Sequence, residues 1–206
     1  MKDANNVLNG VQTVVFDLDG TIYDKSGLAR RMVSRLWWSI PLLTAERLAR
    51  RAVRNRFYGS KEAFYQAFFA QMAKGHWWTA AMAERWYYAF FMPAMIEFIR
   101  RYHSPRPEIM ALIQEADRRG IRLAIFSDYG CVEQKLRALS ISPDLFVLCT
   151  DAPSMGGLKP AVNAVKNLMT CLQADPLTTL FIGDRDDKDG ASARVVGARF
   201  LLIPNS

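Results

Sequence analysis

Carboxylate side chains cluster at two points of the sequence, each directly after a short apolar run. Asp17 and Asp19 follow the first run, and Asp184 and Asp189 follow a later one. Carboxylates can attack an electrophilic centre, carry protons, or bind a hard divalent cation such as Mg²⁺ through oxygen. Acids that crowd one site repel each other unless a cation lies between them. Brought together by the fold, these four acids would indicate chemistry at a metal ion.

A serine and a lysine extend this set of polar residues. Ser127, followed by Asp128, ends another apolar run, and Lys159 stands in the sequence Gly157-Leu158-Lys159-Pro160. A phosphate ester is anionic, so it repels an attacking oxygen unless cations neutralise the phosphoryl group. A hydroxyl can donate to a phosphoryl oxygen, and an ammonium group supplies a point charge. The residue types therefore suit phosphoryl transfer.

Each of these features also has a purely structural interpretation. Residues 17–20 can form a plain turn, Ser127 and Asp128 can cap a helix, and Lys159 can be a solvated surface residue. The run 183–189 can be a polar loop or a calcium-like cluster. Taken singly these interpretations are fair, but together they do not explain why every feature follows a predicted strand in order along the chain.

The elements that must position these residues alternate between strands and helices. Short, continuously apolar runs predict strands of a parallel sheet covered on both faces: Thr13–Phe16, Arg122–Phe126, Leu145–Leu148, Thr179–Ile182 and Arg199–Ile203. Between them lie predicted helices: Pro107–Arg119, Val132–Leu139, Ala161–Leu172 and Gly190–Val196. This alternation predicts an α/β fold with a Rossmann-like, doubly wound parallel sheet. Ligands bind such sheets beyond the carboxyl ends of the strands, which is where the polar residues stand.

A different composition interrupts the α/β pattern between residues 24 and 106. All five tryptophans and most other aromatic residues fall there, with helical rather than alternating spacing. Ser60 predicts a helix start, and Gly59 and Gly75 predict breaks. We therefore expect an inserted all-α cap domain of about four helices over residues 24–106, and an α/β core formed by residues 1–23 and 107–206.

The ordered motifs resemble those of the haloacid dehalogenase-like (HAD) hydrolase superfamily. Residues 16–21, Phe-Asp-Leu-Asp-Gly-Thr, resemble that family's DxDGT/V motif. Ser127, Lys159 and the sequence of residues 183–189, similar to GDxxxxD, follow in the family's order. The resemblance covers the whole core, and the insert takes the position of the family's helical cap.

The resemblance implies roles for the individual residues. Asp17 would be the nucleophile, and Asp19 would protonate the leaving oxygen and then activate water, for which neighbouring acids are expected to raise its pKa. Ser127, Asp128 and Lys159 would bind the substrate phosphate, with Ser127 and Lys159 among the catalytic residues. For Mg²⁺ it implies the side chains of Asp17 and Asp184 and the backbone carbonyl of Asp19, with Asp189 in support of the metal site.

One departure from the family pattern, at Asp128, and one match to it, at Asp19, bear on function. Asp128 stands where members often carry Asn, which adds negative charge beside the phosphate site. The second acid, Asp19, disfavours the dehalogenase branch, which uses no acid there, and favours phosphate esters. The resemblance thus implies a Mg²⁺-dependent phosphatase that hydrolyses a small phosphorylated metabolite through an aspartyl-phosphate. A phosphomutase of the same fold and a non-catalytic protein that binds an anionic partner through the insert are the alternatives.

The insert bears on substrates and partners. A lid of this size would exclude water and favour small substrates over folded proteins or duplex nucleic acid, so no nucleic acid is expected. Sugar phosphates, phosphoglycolate, nucleotides and phospholipid-derived headgroups all remain open. The segment from Lys25 to Arg56 carries nine cationic side chains and one acid, and it can attract anions or form a solvated helical face. Exposed aromatic residues would permit a homodimer.

The composition limits the classes of protein to which this chain can belong. Half of the 206 residues are hydrophobic, which allows a substantial core, and the net charge is +7. The first ten residues lack an apolar stretch, and no run approaches the ~20 apolar residues of a membrane span. Cys131, Cys149 and Cys171 lack CxxC or zinc-ligand spacing. We therefore expect a soluble, cytoplasmic protein with no transmembrane segment and with reduced thiols.

Overall fold

A computed structural model describes residues 4–204 of the chain. Five parallel strands form one sheet in the order β3-β2-β1-β4-β5. Their bounds are β1 Thr13–Phe16, β2 Arg122–Ser127, β3 Leu148–Asp151, β4 Thr179–Gly183 and β5 Arg199–Leu202. The chain therefore winds from β1 outward in one direction and then in the other, which is the predicted doubly wound α/β topology.

Helices cover both faces of the sheet. Besides the short α1 (Ala4–Val7), the core helices are α7 Pro107–Arg118, α8 Val132–Ala138, α9 Val162–Leu172 and α10 Ala191–Val196. Alternate residues of a strand point to opposite faces. Thus Val14 and Phe16 pack in the apolar cluster with α7 and α8, whereas Val15 packs in a second cluster with α9 and α10. Burial on both faces explains why the strands are continuously apolar.

The third strand lies three residues later than predicted. The apolar run 145–148 suggests a strand there, but Pro143–Leu145 forms a 3₁₀ turn, in which the Ser142 side chain accepts a hydrogen bond from Asp144 N. The strand begins only at Leu148, where pairing with Ala124 of β2 starts. The predicted fifth strand is also one residue too long, because pairing ends at Leu202.

The cap is helical throughout its regular structure. Its helices are α2 Leu28–Arg35, α3 Ile40–Ala52, α4 Lys61–Ala73, α5 Ala80–Trp86 and α6 Met92–Tyr102. Ser60 caps α4 by accepting a hydrogen bond from Ala63 N, as its position predicts. A π-helical turn, Tyr87–Phe91, joins α5 directly to α6, so these two cap helices are separated by a change of helical winding instead of a loop.

The aromatic residues of the insert are divided between its interior and its surface. Trp78, Trp86, Tyr87 and Phe91 are buried in the core of the insert. Trp77, by contrast, is 82% exposed.

Two sequence expectations concern features away from the sheet. Among the described residues no helix combines the length and apolarity needed to cross a membrane. The three cysteines are unpaired, in line with the expected free thiols. Residues 1–3 belong to the first ten residues, which lack an apolar stretch, and they lie outside the described part of the chain. Residues 205–206 also lie outside it.

Candidate active site

Asp17 stands at the first position after β1, at the carboxyl edge of the sheet. Its backbone N–H donates to the Ile182 carbonyl of β4, which fixes the residue between two strands. Thr21 donates through Oγ1 to Asp17 Oδ2 at 3.0 Å. Gly20 has φ +110°, and a Cβ there would overlap the Asp184 carboxylate. Only glycine allows this loop to turn so close to Asp184.

Lys159 binds the candidate nucleophile directly. Its Nζ lies 2.6 Å from Asp17 Oδ1 and 2.6 Å from Asp189 Oδ1, and it donates to the Phe126 carbonyl at 3.0 Å. The side chain is buried, and these contacts use all three ammonium hydrogens. The structure thus joins Asp17, Lys159 and Asp189, which are far apart in sequence, in one buried ionic network.

The protonation of Asp17 depends on this network. Burial raises the pKa of the Asp17 carboxyl to about 7, and the ammonium of Lys159 works against that rise. Asp189 adds to the rise because a second negative charge lies close by. A nucleophilic carboxylate must be ionised. A further cation beside Asp17 would therefore favour its reactive form.

Asp19 is held as an anion by three donors, which corrects the expectation of a raised pKa. Tyr23 OH lies 2.6 Å from Oδ1, and Ser127 Oγ and Lys135 Nζ lie 3.0 and 2.8 Å from Oδ2. Burial alone would raise the pKa of Asp19, but Lys135 and the two hydroxyls together lower it below its usual value. The prediction considered only the neighbouring acids and overlooked a buried lysine.

Lys135 is one of the site residues that the sequence did not predict, along with Tyr23 and Lys25. It lies on α8, is fully buried, and its ammonium group also lies 5.2 Å from the centre of the Tyr129 ring. The sequence contains a pattern from which the burial of Lys135 can be predicted. Lys135 stands three residues after the buried Val132 and next to the buried Leu136, so helical spacing places it on the apolar face of α8. A lysine on such a face needs a buried acid as partner.

Three carboxylates meet where a cation would bind. Oxygens of Asp17, Asp184 and Asp189 lie within 4.8 Å of one another. A cationic group of the chain already contacts part of this site: Lys25 Nζ lies 2.9 Å from the Asp19 carbonyl oxygen and 2.5 Å from Asp184 Oδ2. Mg²⁺ prefers hard oxygen ligands, and this site offers carboxylate oxygens at a place that already attracts a positive charge, so it suits such a divalent ion.

The other residues predicted to bind phosphate have partners of their own. The Ser127 hydroxyl accepts from Tyr129 N at 3.1 Å in addition to its contact with Asp19. Asp128 accepts from Lys159 N at 2.9 Å through Oδ1 and from Lys188 Nζ at 2.6 Å through Oδ2. Both carboxylate oxygens of Asp128 thus hold core loops together, which is a positioning role rather than direct contact with an anion.

A cavity of about 640 Å³ opens above these groups, between the sheet edge and the cap. Asp17, Asp19, Lys159, Asp184 and Asp189 all line it, and its far side consists of residues from the cap helices. Ser127, also predicted to bind phosphate, is fully buried beside Asp19 and does not line the cavity. The other predicted residues line one cavity of a size typical for small-molecule binding.

Comparison with known proteins agrees with this geometry. A family model described as haloacid dehalogenase-like hydrolase matches residues 11–197. None of the curated proteins compared matches the sequence significantly.

Solved structures share the fold at low sequence identity. CbbY from Rhodobacter sphaeroides in complex with phosphate is 22% identical, with a TM-score of 0.65 over 95% of this chain and 87% of that one. The putative HAD-hydrolase YfnB from Bacillus subtilis, bound to magnesium, is 18% identical, with a TM-score of 0.62 over 94% and 88%. A 2-haloacid dehalogenase from Pseudomonas syringae is 16% identical, with a TM-score of 0.63 over 93% and 86%. The family match, together with this site at the carboxyl edge of the sheet, shows that the chain belongs to the haloacid dehalogenase-like hydrolases.

Proposed function

We propose that this hydrolase is a Mg²⁺-dependent phosphatase that takes the phosphoryl group of a small phosphorylated metabolite onto Asp17. The observation that carries the proposal is the contact of Lys159 with Asp17, next to a three-carboxylate site and with a second acid, Asp19, two residues on. The dehalogenase branch uses no acid at that second position, so its presence supports phosphate esters over halogenated substrates. The phosphate and magnesium bound by the structural neighbours are compatible with this choice.

The chemistry divides into two displacements. A carboxylate oxygen of Asp17 attacks phosphorus, and the ester P–O bond breaks. The leaving alkoxide then takes a proton from Asp19, or from a water molecule that Asp19 orients. Water then attacks the phosphorus of the aspartyl-phosphate and gives a proton to Asp19, which releases phosphate and restores Asp17. Because Lys135, Ser127 and Tyr23 stabilise ionised Asp19, it must take up a proton from solvent and loosen these contacts before it can protonate the leaving oxygen.

The metal would be held by the side chains of Asp17 and Asp184 and by the carbonyl oxygen of Asp19. Asp189, whose Oδ1 is bound by Lys159 and whose Oδ2 accepts from Arg185 N at 3.2 Å, supports these groups by fixing the lysine and the loop. When bound, Mg²⁺ neutralises charge on the phosphoryl oxygens.

Residues 24–106 are proposed to act as the cap domain that closes this site, with 1–23 and 107–206 as the catalytic core. Arg50 of α3 supports this view because it reaches across to the core: it donates to the Asp128 carbonyl at 3.0 Å and lies 3.9 Å from the centre of the Tyr129 ring. A lid anchored at this point excludes water from the reacting phosphoryl group.

The function is tested by metal-dependent phosphate release. With Mg²⁺ present we expect the protein to hydrolyse an aryl phosphate, and after EDTA treatment we expect that activity to fall to background and to return with added Mg²⁺. Chloroacetate, assayed in parallel for halide release, should give no product. Halide release without phosphate release would contradict the proposal, and transfer of phosphate between hydroxyls of one sugar without hydrolysis would identify a mutase instead.

Removal of the Lys25 ammonium should tighten metal binding. Since Lys25 contacts two groups proposed to hold the metal, a bound cation must displace it or lie beside a positive charge. We expect Lys25→Met to lower the Kd for Mg²⁺ by about tenfold, which corresponds to ~1.4 kcal/mol. Calorimetric titration of the substrate-free protein measures this without catalysis.

The matched control for this titration is Lys74→Met, a change in the cap at a lysine outside the lining of the cavity. It should leave the Kd for Mg²⁺ unchanged. An unchanged or higher Kd in the Lys25 variant would mean that Lys25 does not oppose the metal.

A further inference from the structure

The far side of the cavity above the carboxylates is apolar. Its lining from the cap includes eight apolar residues, and six of them are here called the apolar wall: Leu28, Met32, Ile40, Leu43, Phe91 and Met95. They come from α2, α3, the π-helical turn and α6, so several segments of the cap contribute. Ile40 is 48% exposed and Leu43 is half-buried, whereas the other four side chains of the wall are largely buried in the cap. An apolar side chain that a closed lid leaves open to the cavity is available to a ligand.

The cap offers few polar groups beside this wall. Apart from Lys25, which faces the carboxylates, its polar lining residues are Thr44, Glu46 and Arg47. Glu46 is already used, because its Oε1 accepts from Arg50 Nε at 2.8 Å. Within the described lining, this leaves the Thr44 hydroxyl and the exposed Arg47 as the polar contacts that the cap presents to a ligand beside the wall.

This distribution of apolar and polar groups should distinguish phosphate esters by the alcohol that carries the phosphate. A sugar carries several hydroxyls, and each hydroxyl buried without a partner loses its hydrogen bonds to water. The wall lacks the partners that such a group requires. An apolar group, in contrast, gains free energy in proportion to the surface that it removes from water. The end of the cavity lined by the charged core residues suits a phosphate group, and the end lined by the apolar wall suits a hydrocarbon group.

Building on the phosphatase function proposed above, we infer that the substrate is a phosphate monoester of an apolar alcohol, with an alkyl or aryl group lying against the apolar wall. The phosphate occupies the end formed by Asp17, Lys159 and Asp184. The cap thus selects substrates by hydrophobic contact and not by recognition of hydroxyls.

A series of unbranched alkyl phosphates tests this inference. With the wild-type protein and Mg²⁺, kcat/KM should rise about fourfold for each added methylene from methyl to hexyl phosphate, and hexyl phosphate should exceed glucose 6-phosphate by at least about a hundredfold. A flat series, or a preference for glucose 6-phosphate, would overturn the inference while the phosphatase function stood. Absence of phosphate release from every ester, including an aryl phosphate, would overturn both.

A pair of variants on α3 localises the effect. Leu43→Asn places an amide in the wall and should flatten the chain-length dependence. The control is Leu48→Asn, on the same helix but 55% exposed and outside the cavity lining, which should keep the wild-type slope. Equal slopes in wild type and a folded Leu43 variant would exclude the wall as the binding surface. Should that variant fail to fold, the wild-type series decides the matter alone.

Discussion

Replacement of Asp17 by Asn is expected to lower kcat for phosphate ester hydrolysis by at least about a thousandfold while the protein stays folded. A carboxamide oxygen is a far weaker nucleophile than a carboxylate. The fold should tolerate the change because Lys159 keeps Asp189 and the Phe126 carbonyl as partners. Burial already disfavours the charge on Asp17, as its raised pKa shows, so removal of that charge costs little stability. Phosphate release and thermal melting followed by circular dichroism measure the two effects.

The control for this variant is Asp186→Asn. Asp186 is exposed, lies in the same acidic segment as Asp184 and Asp189, and pairs with Arg194 away from the cavity. Its activity should equal that of the wild type. An Asp17 variant that folds normally and keeps more than about a tenth of wild-type kcat would remove Asp17 as the nucleophile.

The sequence contains enough information to predict which strand ends form the site. Asp17, Ser127 and Asp184 each stand at or next to the end of an apolar run, and parallel strands bring such ends to one edge. The pairing of Phe16 with Ile125 on one side and Ile182 on the other realises this arrangement. Local pattern and sheet topology agree here, so the prediction needed no knowledge of side-chain contacts.

What the sequence could not predict depends on side chains that meet through tertiary packing. The state of Asp19 is set by Lys135, which is 116 residues away and reaches it from α8, the helix that follows β2. Lys25 lies in a basic segment whose charges suggest a solvated face, yet it contacts Asp184 across 159 residues. The shift of β3 has a local cause, because a 3₁₀ turn that begins at Pro143 competes with strand formation in the same apolar run.

Replacement of Lys135 by Met should destabilise the protein strongly. Lys135 is fully buried and its ammonium group lies 2.8 Å from Asp19 Oδ2, so its loss leaves a buried carboxylate without its counter-ion. Breaking a buried ion pair by removal of one partner costs ~3–5 kcal/mol. Urea denaturation of the two proteins gives the difference in the free energy of unfolding. Lys166→Met, a change at an exposed lysine of α9, is the control and should leave the midpoint nearly unchanged.

A double-mutant cycle with Asp19→Asn separates the ion pair from simple loss of packing. The asparagine side chain removes the charge that Lys135 neutralises, and its single carbonyl oxygen can still accept the hydrogen bond from Tyr23. Its amide NH₂ takes the place of the oxygen that faces Ser127, whose hydroxyl can accept in turn. If Lys135 acts through the charge of Asp19, the double variant should be more stable than the sum of the single losses predicts, by ~1–3 kcal/mol. Purely additive losses would show that Lys135 stabilises the fold through its aliphatic stem alone. In that case Lys135 would not account for the ionised state of Asp19, and proton transfer would not require Asp19 to release Lys135.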